Sequence, residues 1–462
     1  MVTLAPVDYA VLALFFAIVL ALGFSARLKS ESANQIVVAG RALPLPIFVA
    51  TLVATWYGGV LGTGQVFGYY GFANLTVNCL PYWVFGILFA LFFARRVRSA
   101  EQISLPERIE SSFGKTCGLI AAFLIAVLAT PAPFIMMLGT LFALVSGLHV
   151  IPATVIAAIV STLFVYRGGL LADARSNTLS FAMMYVAFII ILIVSISRFG
   201  APGEIIPSLP ASQRSWDAGN GLLWVLSWFV IGSWTFVDPG FHQRVVAVGS
   251  AKAARIGVLA AVGLWIVFDN LTTFTAMYAA HATPNADKLG LDLFPVYGSA
   301  VLASGIRGVF FAGMFGALLA ATVGYTFVSG TTLGRDLFAR IKGERDRNVA
   351  LPIRLGIAAS TAIGIALALG ARENILNLWY DMPSIVIPGL IAPVVGAYFP
   401  ALRISSPLAI SCMIAGCGSA LAWNVFNRIH TLPISASITP IIVGLGSVLL
   451  IWGIGLVGPK AK

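Results

Sequence analysis

A single carboxylate set in a long apolar run is the side chain best placed to do chemistry in this sequence. Asp269 stands in Trp265-Ile266-Val267-Phe268-Asp269-Asn270, and an aspartate at the centre of a membrane helix costs about 3 kcal/mol on insertion scales. Proton exchange at a buried carboxyl is one use for it, and an oxygen ligand for sodium is another. A structural aspartate hydrogen-bonded to Asn270, Thr272 or Thr273 is the alternative. Hydrolytic and metal chemistry have less to stand on. His149, His242, His281 and His430 fall at the ends of apolar runs, with no HExxH or comparable ligand spacing. Cys79, Cys117, Cys412 and Cys417 form no CxxC pair and read as free buried thiols. Neither an enzyme, a resident metal nor an organic cofactor is expected.

The elements that must hold these residues are membrane helices. Apolar residues make up 59% of the 462 positions and charged residues 10%, a balance outside the range of water-soluble domains. Runs of ~20 apolar residues, enough for a spanning helix, follow one another almost throughout. The expected fold is an all-α membrane protein of about thirteen transmembrane helices, near 8–25, 44–67, 72–94, 117–146, 150–166, 176–197, 220–237, 256–280, 307–331, 353–370, 377–399, 406–426 and 434–456. With the N-terminus outside, 22 of the 28 basic residues fall on the cytoplasmic side, as the positive-inside rule requires. The first apolar stretch is expected to be retained, and a bacterial-type inner membrane is the expected location. The net charge of +11 then reflects topology and an anionic leaflet as neighbour, with no nucleic-acid partner. Nothing in the sequence defines an oligomeric state.

Two of these spans carry breaks. In lipid, a helix is interrupted only where protein or a water-filled cavity satisfies the freed backbone groups. The second span contains Gly58, Gly59, Gly62 and Gly64, and the seventh contains Ile231-Gly232-Ser233-Trp234-Thr235 followed by Asp238-Pro239-Gly240. Close helix packing alone would explain isolated glycines. These breaks, however, each open a block of five spans, and an odd number gives the two blocks opposite topology. The expected units are an N-terminal extra helix and loop (1–43), a first five-helix repeat (44–199), an inverted second repeat (220–400) and two C-terminal helices (401–462). A channel would call for a ring of filter residues, which is not seen.

Several local strings then resemble one family. Ser104-Leu105-Pro106-Glu107-Arg108, Tyr166-Arg167-Gly168-Gly169-Leu170, Phe241-His242-Gln243-Arg244 and the run from Arg307 to Asp336 occur in the order and at the spans of the sodium:solute symporters. The resemblance implies a leucine-transporter-type core with one extra helix before it and two after. It also implies import of a small organic solute with a cation, sodium or a proton.

Carried across residue by residue, the resemblance puts the carbonyl ligands of the family's sodium site at Ala54, Tyr57 and Ala317 and its hydroxyl ligands at Ala320 and Ala321. Those two positions hold methyl groups here, so two oxygens are missing. Asn177, with Asp173 one turn earlier, stands where the family usually has an aspartate. These departures turn attention to Asp269 as a carrier of protons or a ligand in a displaced site. The implied helix breaks are at Gly58, Gly59 and Gly232. The implied solute pocket comprises Trp56, Leu61, Asn78, Ile231, Trp234, Trp265, Asn377 and Tyr380. This lining is aromatic and poor in hydrogen-bonding groups, so a sugar is not expected. Trp56, Trp265 and Tyr380 are candidates to box an amine or quaternary ammonium. With no arginine expected inside a span, a carboxylate solute would depend on helix termini. A zwitterion or amine, a short monocarboxylate and a nucleobase-like ring all stay open.

Overall fold

The computed structural model describes residues 2–163, 165–283, 285–343, 348–370, 375–429 and 438–457, with backbone only for 375–379. The Asn377 side chain, His430, and Arg345, Arg347, Arg372, Lys460 and Lys462 therefore lie outside the described part.

The principal helices are α1 (Pro6–Phe24), α2 (Leu45–Tyr70), α3 (Leu75–Ser99), α4 (Lys115–Ser146), α5 (Val150–Thr162) and α6 (Val165–Phe199). There follow α7 (Leu222–Val237 with Pro239–Ala247), α8 (Ala251–Ala282), α9 (Ile306–Ala339), α10 (Ala350–Gly370), α11 (Ile375–Tyr398), α12 (Ser406–Ile429) and α13 (Pro440–Val457). Among the described residues, eleven helices are long and apolar enough to cross a membrane, or twelve if the bent pair in α7 is one span. The expected count of thirteen is not reached because α5 has 13 residues, about 20 Å of helix against a ~30 Å hydrocarbon core. The chain must turn soon after it. Gly169 takes φ +52°, and a Cβ there would lie 2.5 Å from the Ile36 carbonyl oxygen, so only glycine fits.

Local chemistry sets the helix starts. Ser250 Oγ accepts from Ala253 N at 3.1 Å to begin α8, and Ser104 caps the short helix Leu105–Phe113 by accepting from Glu107 N. Asp238 ends the first half of α7 and caps the second, its Oδ1 accepting from Phe241 N at 2.6 Å with Pro239 next in line. The two halves meet at 41°.

Burial orders the helices from centre to rim. The most apolar stretch of α9 is 83% buried, against 22% for α13, which makes α9 the central post and leaves α13 facing lipid. The extra helix α1 is fastened to that post. Asp8 Oδ1 accepts from Gly305 N at 2.7 Å and Gly308 N at 2.9 Å, and Asp8 Oδ2 pairs with Arg307 Nε at 3.1 Å.

Candidate functional site

Both expected breaks are tightened turns. Tyr57–Gly59 in α2 and Val230–Ser233 in α7 are single 3-10 turns, which rotate the side chains on either side relative to an unbroken helix. At Gly58 an added Cβ would sit 1.9 Å from the Ala321 methyl and 2.7 Å from the Phe134 ring. Backbone of α2 therefore lies directly on α9. Gly232 serves a similar contact, with Pro81 and Phe85 of α3 within 2.8 Å of the same construction.

Ala54, Tyr57, Ala317, Ala320 and Ala321 are all buried where α2 meets α9. The Tyr57 carbonyl is engaged by Val60 N, and the Ala321 methyl presses against Gly58. The neighbouring Thr322 hydroxyl donates to Leu318 O at 2.8 Å within its own helix. The position that the resemblance implies for sodium thus presents methyl groups from α9.

One turn further along the same seam is a charge that the sequence reading assigned to the cytoplasmic side. Arg244, in the second half of α7, is 1% exposed. Its Nη2 pairs with Asp173 Oδ2 at 2.7 Å and donates to Thr55 Oγ1 at 2.8 Å, and its Nε donates to Thr51 Oγ1 at 3.3 Å. Asn177 Nδ2 completes the cluster, reaching Thr51 Oγ1 at 2.9 Å, Asp173 Oδ1 at 3.0 Å and Thr55 Oγ1 at 3.2 Å. The guanidinium lies against Gly324 of α9, where a Cβ would approach Nη2 to 2.7 Å. The expectation that no arginine enters the helical core is corrected. The Asp238-Pro239 restart of α7 was the available signal, because it carries Arg244 back among the helices.

Beside the α2 break lies a cavity of about 50 Å³. Six rings wall it, from Trp56, Tyr57, Tyr82, Phe134, Trp234 and Tyr325, and Thr63, Asn78 and Asp269 add polar side chains to the three tyrosine hydroxyls. Asp269 Oδ2 accepts from Trp83 Nε1 at 2.6 Å. The partners expected for a structural aspartate are occupied elsewhere. Asn270 donates to Ile266 O, Thr272 to Phe268 O, and Thr273 accepts from Asn74 Nδ2 at 3.0 Å. Asn78 Nδ2 in turn reaches Asn74 Oδ1 at 3.3 Å.

Of the other expected pocket residues, Trp265 stacks on Trp56 with centroids 5.0 Å apart and planes at 26°. That contact leaves no room for a cation between the two indoles. Tyr380 packs on Trp228 at 4.7 Å, so the three-ring box of Trp56, Trp265 and Tyr380 is not formed. Leu61 and Ile231 are buried but do not line the cavity. Trp83, Tyr82, Thr63, Phe134 and Tyr325 were not anticipated. Tyr325 is also tied to the α7 break, its hydroxyl donating to Asp238 Oδ2 at 2.9 Å.

The fold recurs in solved transporters. A sodium-coupled sialic acid symporter in a substrate-bound, outward-open state superposes with a TM-score of 0.83 over 99% of each chain at 13% identity. The inward-facing form of Mhp1 gives 0.56 over 88% of this chain and 90% of that one, also at 13%. Identities so low establish the architecture alone: a membrane transporter fold of the leucine-transporter type. The family model for the sodium:solute symporters matches residues 37–416, and the chain belongs to that family. Among relatives, the human high affinity choline transporter 1 is 24% identical over 248 residues, 51% of this chain and 43% of its own length. The proline transporter PutP of Bacillus subtilis is 24% identical over 62% of this chain and 65% of its own. The osmoregulated proline transporter OpuE of the same organism is 21% identical over 89% and 87%. The chain spans less than half the length of the choline transporters it matches, at 43% and 46%.

Proposed function

We propose that this protein is a secondary active carrier that imports a small organic solute together with a cation by alternating access. The observation that carries this reading is the cavity at the α2 break, walled from α7 by Trp234 and from α8 by Asp269. Interrupted helices around a central cavity are the working parts of inverted-repeat carriers. On this reading 44–199 and 220–400 are the two repeats, 1–43 and 401–462 the flanking helices, and the N-terminus faces outward. The named relatives carry proline or choline, both small nitrogen compounds, which supports a solute of that size.

The coupling cation is the finer question. Sodium is the cation of the family, and Ala320 and Ala321 weaken its usual site by two oxygens. The Ala321 methyl against Gly58 favours a second reading, in which the carrier is proton-coupled or ion-independent through Asp269. Uptake of labelled solute into proteoliposomes, under an imposed sodium gradient or an imposed proton gradient, tests both. Accumulation under one gradient identifies the ion. Absence of saturable uptake under either leaves a solute sensor as the role and overturns the carrier.

A further inference from the structure

The buried carboxylates of this protein fall into two groups. Asp8 is paired with Arg307, Asp173 with Arg244 and Asp336 with Arg335. Asp238 has no such pair among the described residues, but it caps a helix and accepts from the Tyr325 hydroxyl. Asp269 alone lines the cavity, and among the described residues no arginine or lysine pairs with it. Trp83 Nε1 fixes one of its oxygens at 2.6 Å. An indole donor orients a carboxyl group without neutralising its charge, so the ionised form of Asp269 is left in want of a counter-charge among the described residues.

We propose that the missing counter-charge is the solute, and that Asp269 binds a positively charged nitrogen, an ammonium or a quaternary ammonium group. This rests on the carrier reading above and names its substrate class. The wall chemistry selects among cations. Sodium takes a shell of oxygens as ligands, as hard cations do. Oxygen-bearing side chains are present here, but the Tyr57 and Tyr325 hydroxyls are committed to Trp265 O and Asp238 Oδ2, while the rings of Trp56, Tyr82 and Trp234 also wall the cavity. A bulky, weakly hydrated ammonium gains from such π faces, more so where water is excluded. Anionic solutes are disfavoured, since among the described residues no arginine or lysine lines the cavity. Polyhydroxylated solutes are less well served, because among the described lining residues the Tyr57 and Tyr325 hydroxyls already donate elsewhere, which leaves Thr63, Asn78, Tyr82 and Asp269 as the polar side chains for several solute hydroxyls. The cavity of about 50 Å³ holds only part of an organic cation. Moving Trp56 off Trp265 is the step that would enlarge it and present an indole face to the nitrogen.

The test uses the purified full chain and two probes of similar shape, tetramethylammonium and uncharged tert-butanol, read by thermal unfolding. Tetramethylammonium is expected to raise Tm saturably, as a ligand of the folded state does, and tert-butanol to leave it unchanged. Asp269→Asn is expected to weaken the response at least about tenfold, the value of a hydrogen-bonded charge. Asp269→Glu, which keeps the charge, is expected to retain it. Trp56→Leu is expected to weaken it by a similar factor through loss of the π face. Should Asp269→Asn fail to fold, tryptophan fluorescence titration of the wild-type protein with the two probes replaces it. No response to tetramethylammonium, an equal response to tert-butanol, or undiminished binding by folded Asp269→Asn overturns the inference. The two readings fail separately. Asp269-dependent binding without uptake in vesicles sinks only the carrier, and uptake of a neutral solute untouched by Asp269→Asn and by tetramethylammonium sinks only the ammonium site.

Discussion

Arg244 and Asp173 form a salt bridge of 2.7 Å with side chains 1% and 0% exposed, tying the second half of α7 to α6. Thr51 and Thr55 bring α2 into the same cluster. Breaking a pair of this kind from one side leaves a buried charge alone, which costs about 3–5 kcal/mol. Arg244→Met and Asp173→Asn are each expected to lower the unfolding temperature sharply. The double variant Arg244→Met with Asp173→Leu should recover part of the loss, because two apolar groups need no partner. Single variants that unfold at the wild-type temperature would show that water reaches the cluster.

The contact between Gly58 and Ala321 makes a second prediction. Gly58→Ala forces two methyl groups to within 1.9 Å unless α2 and α9 separate, at an expected cost of about 1–3 kcal/mol. Ala321→Gly in the same chain removes the clash and should restore both thermal stability and uptake. Failure of that rescue would mean the helices are held apart by something other than this contact.

Sodium dependence should respond to the missing hydroxyls. If Ala320 and Ala321 stand at the hydroxyl positions of a sodium site, replacing both by serine would add two oxygen ligands beside the carbonyls of Ala54 and Ala317. The sodium concentration giving half-maximal thermal stabilisation is expected to fall at least about tenfold, roughly 1.4 kcal/mol of binding. If potassium stabilises the double serine variant equally well, the new hydroxyls are not ligating sodium.

Asp8 offers a control away from the cavity. Its carboxylate accepts two backbone N–H groups at the start of α9 and pairs with Arg307. Asp8→Ala should cost about 1.5–3 kcal/mol as these charged hydrogen bonds are lost. It should also speed proteolysis near α1, while half-saturation for solute stays unchanged. A shift in that constant would show that α1 acts on the cavity.

Helices were legible in the sequence because lipid imposes a simple rule, an apolar run of fixed length; α5 fell short of it, and α7 meets it only when its two bent halves are taken together. Glycine clusters are conspicuous in such runs and drew attention to Gly58 and Gly232, where the structure has single 3-10 turns, while the 41° bend of α7 falls after Val237. Arg244 was not. Counting charges by loop presumes that a basic residue beyond a span faces water, and the helix restarted at Pro239 violates that presumption. Asp269 stood out by its cost in lipid, yet its partner Trp83 lies 186 positions away, and no local spacing announces it. Likewise Tyr82, Phe134 and Tyr325 enter the cavity from three separate helices, a convergence that only the packing of α3, α4 and α9 determines.

If the solute binds against Trp56 as proposed, Trp265 stacked on that ring would act as a built-in competitor for it. A ring pair of this kind is worth about 0.5–1.5 kcal/mol, so binding is weakened by roughly two- to tenfold relative to a seat already open. The same debt assists discharge, for the indoles close on each other again as the cargo leaves. On that proposal turnover would be protected from overly tight capture, with the face of Trp56 covered by a side chain of the protein itself until the solute arrives.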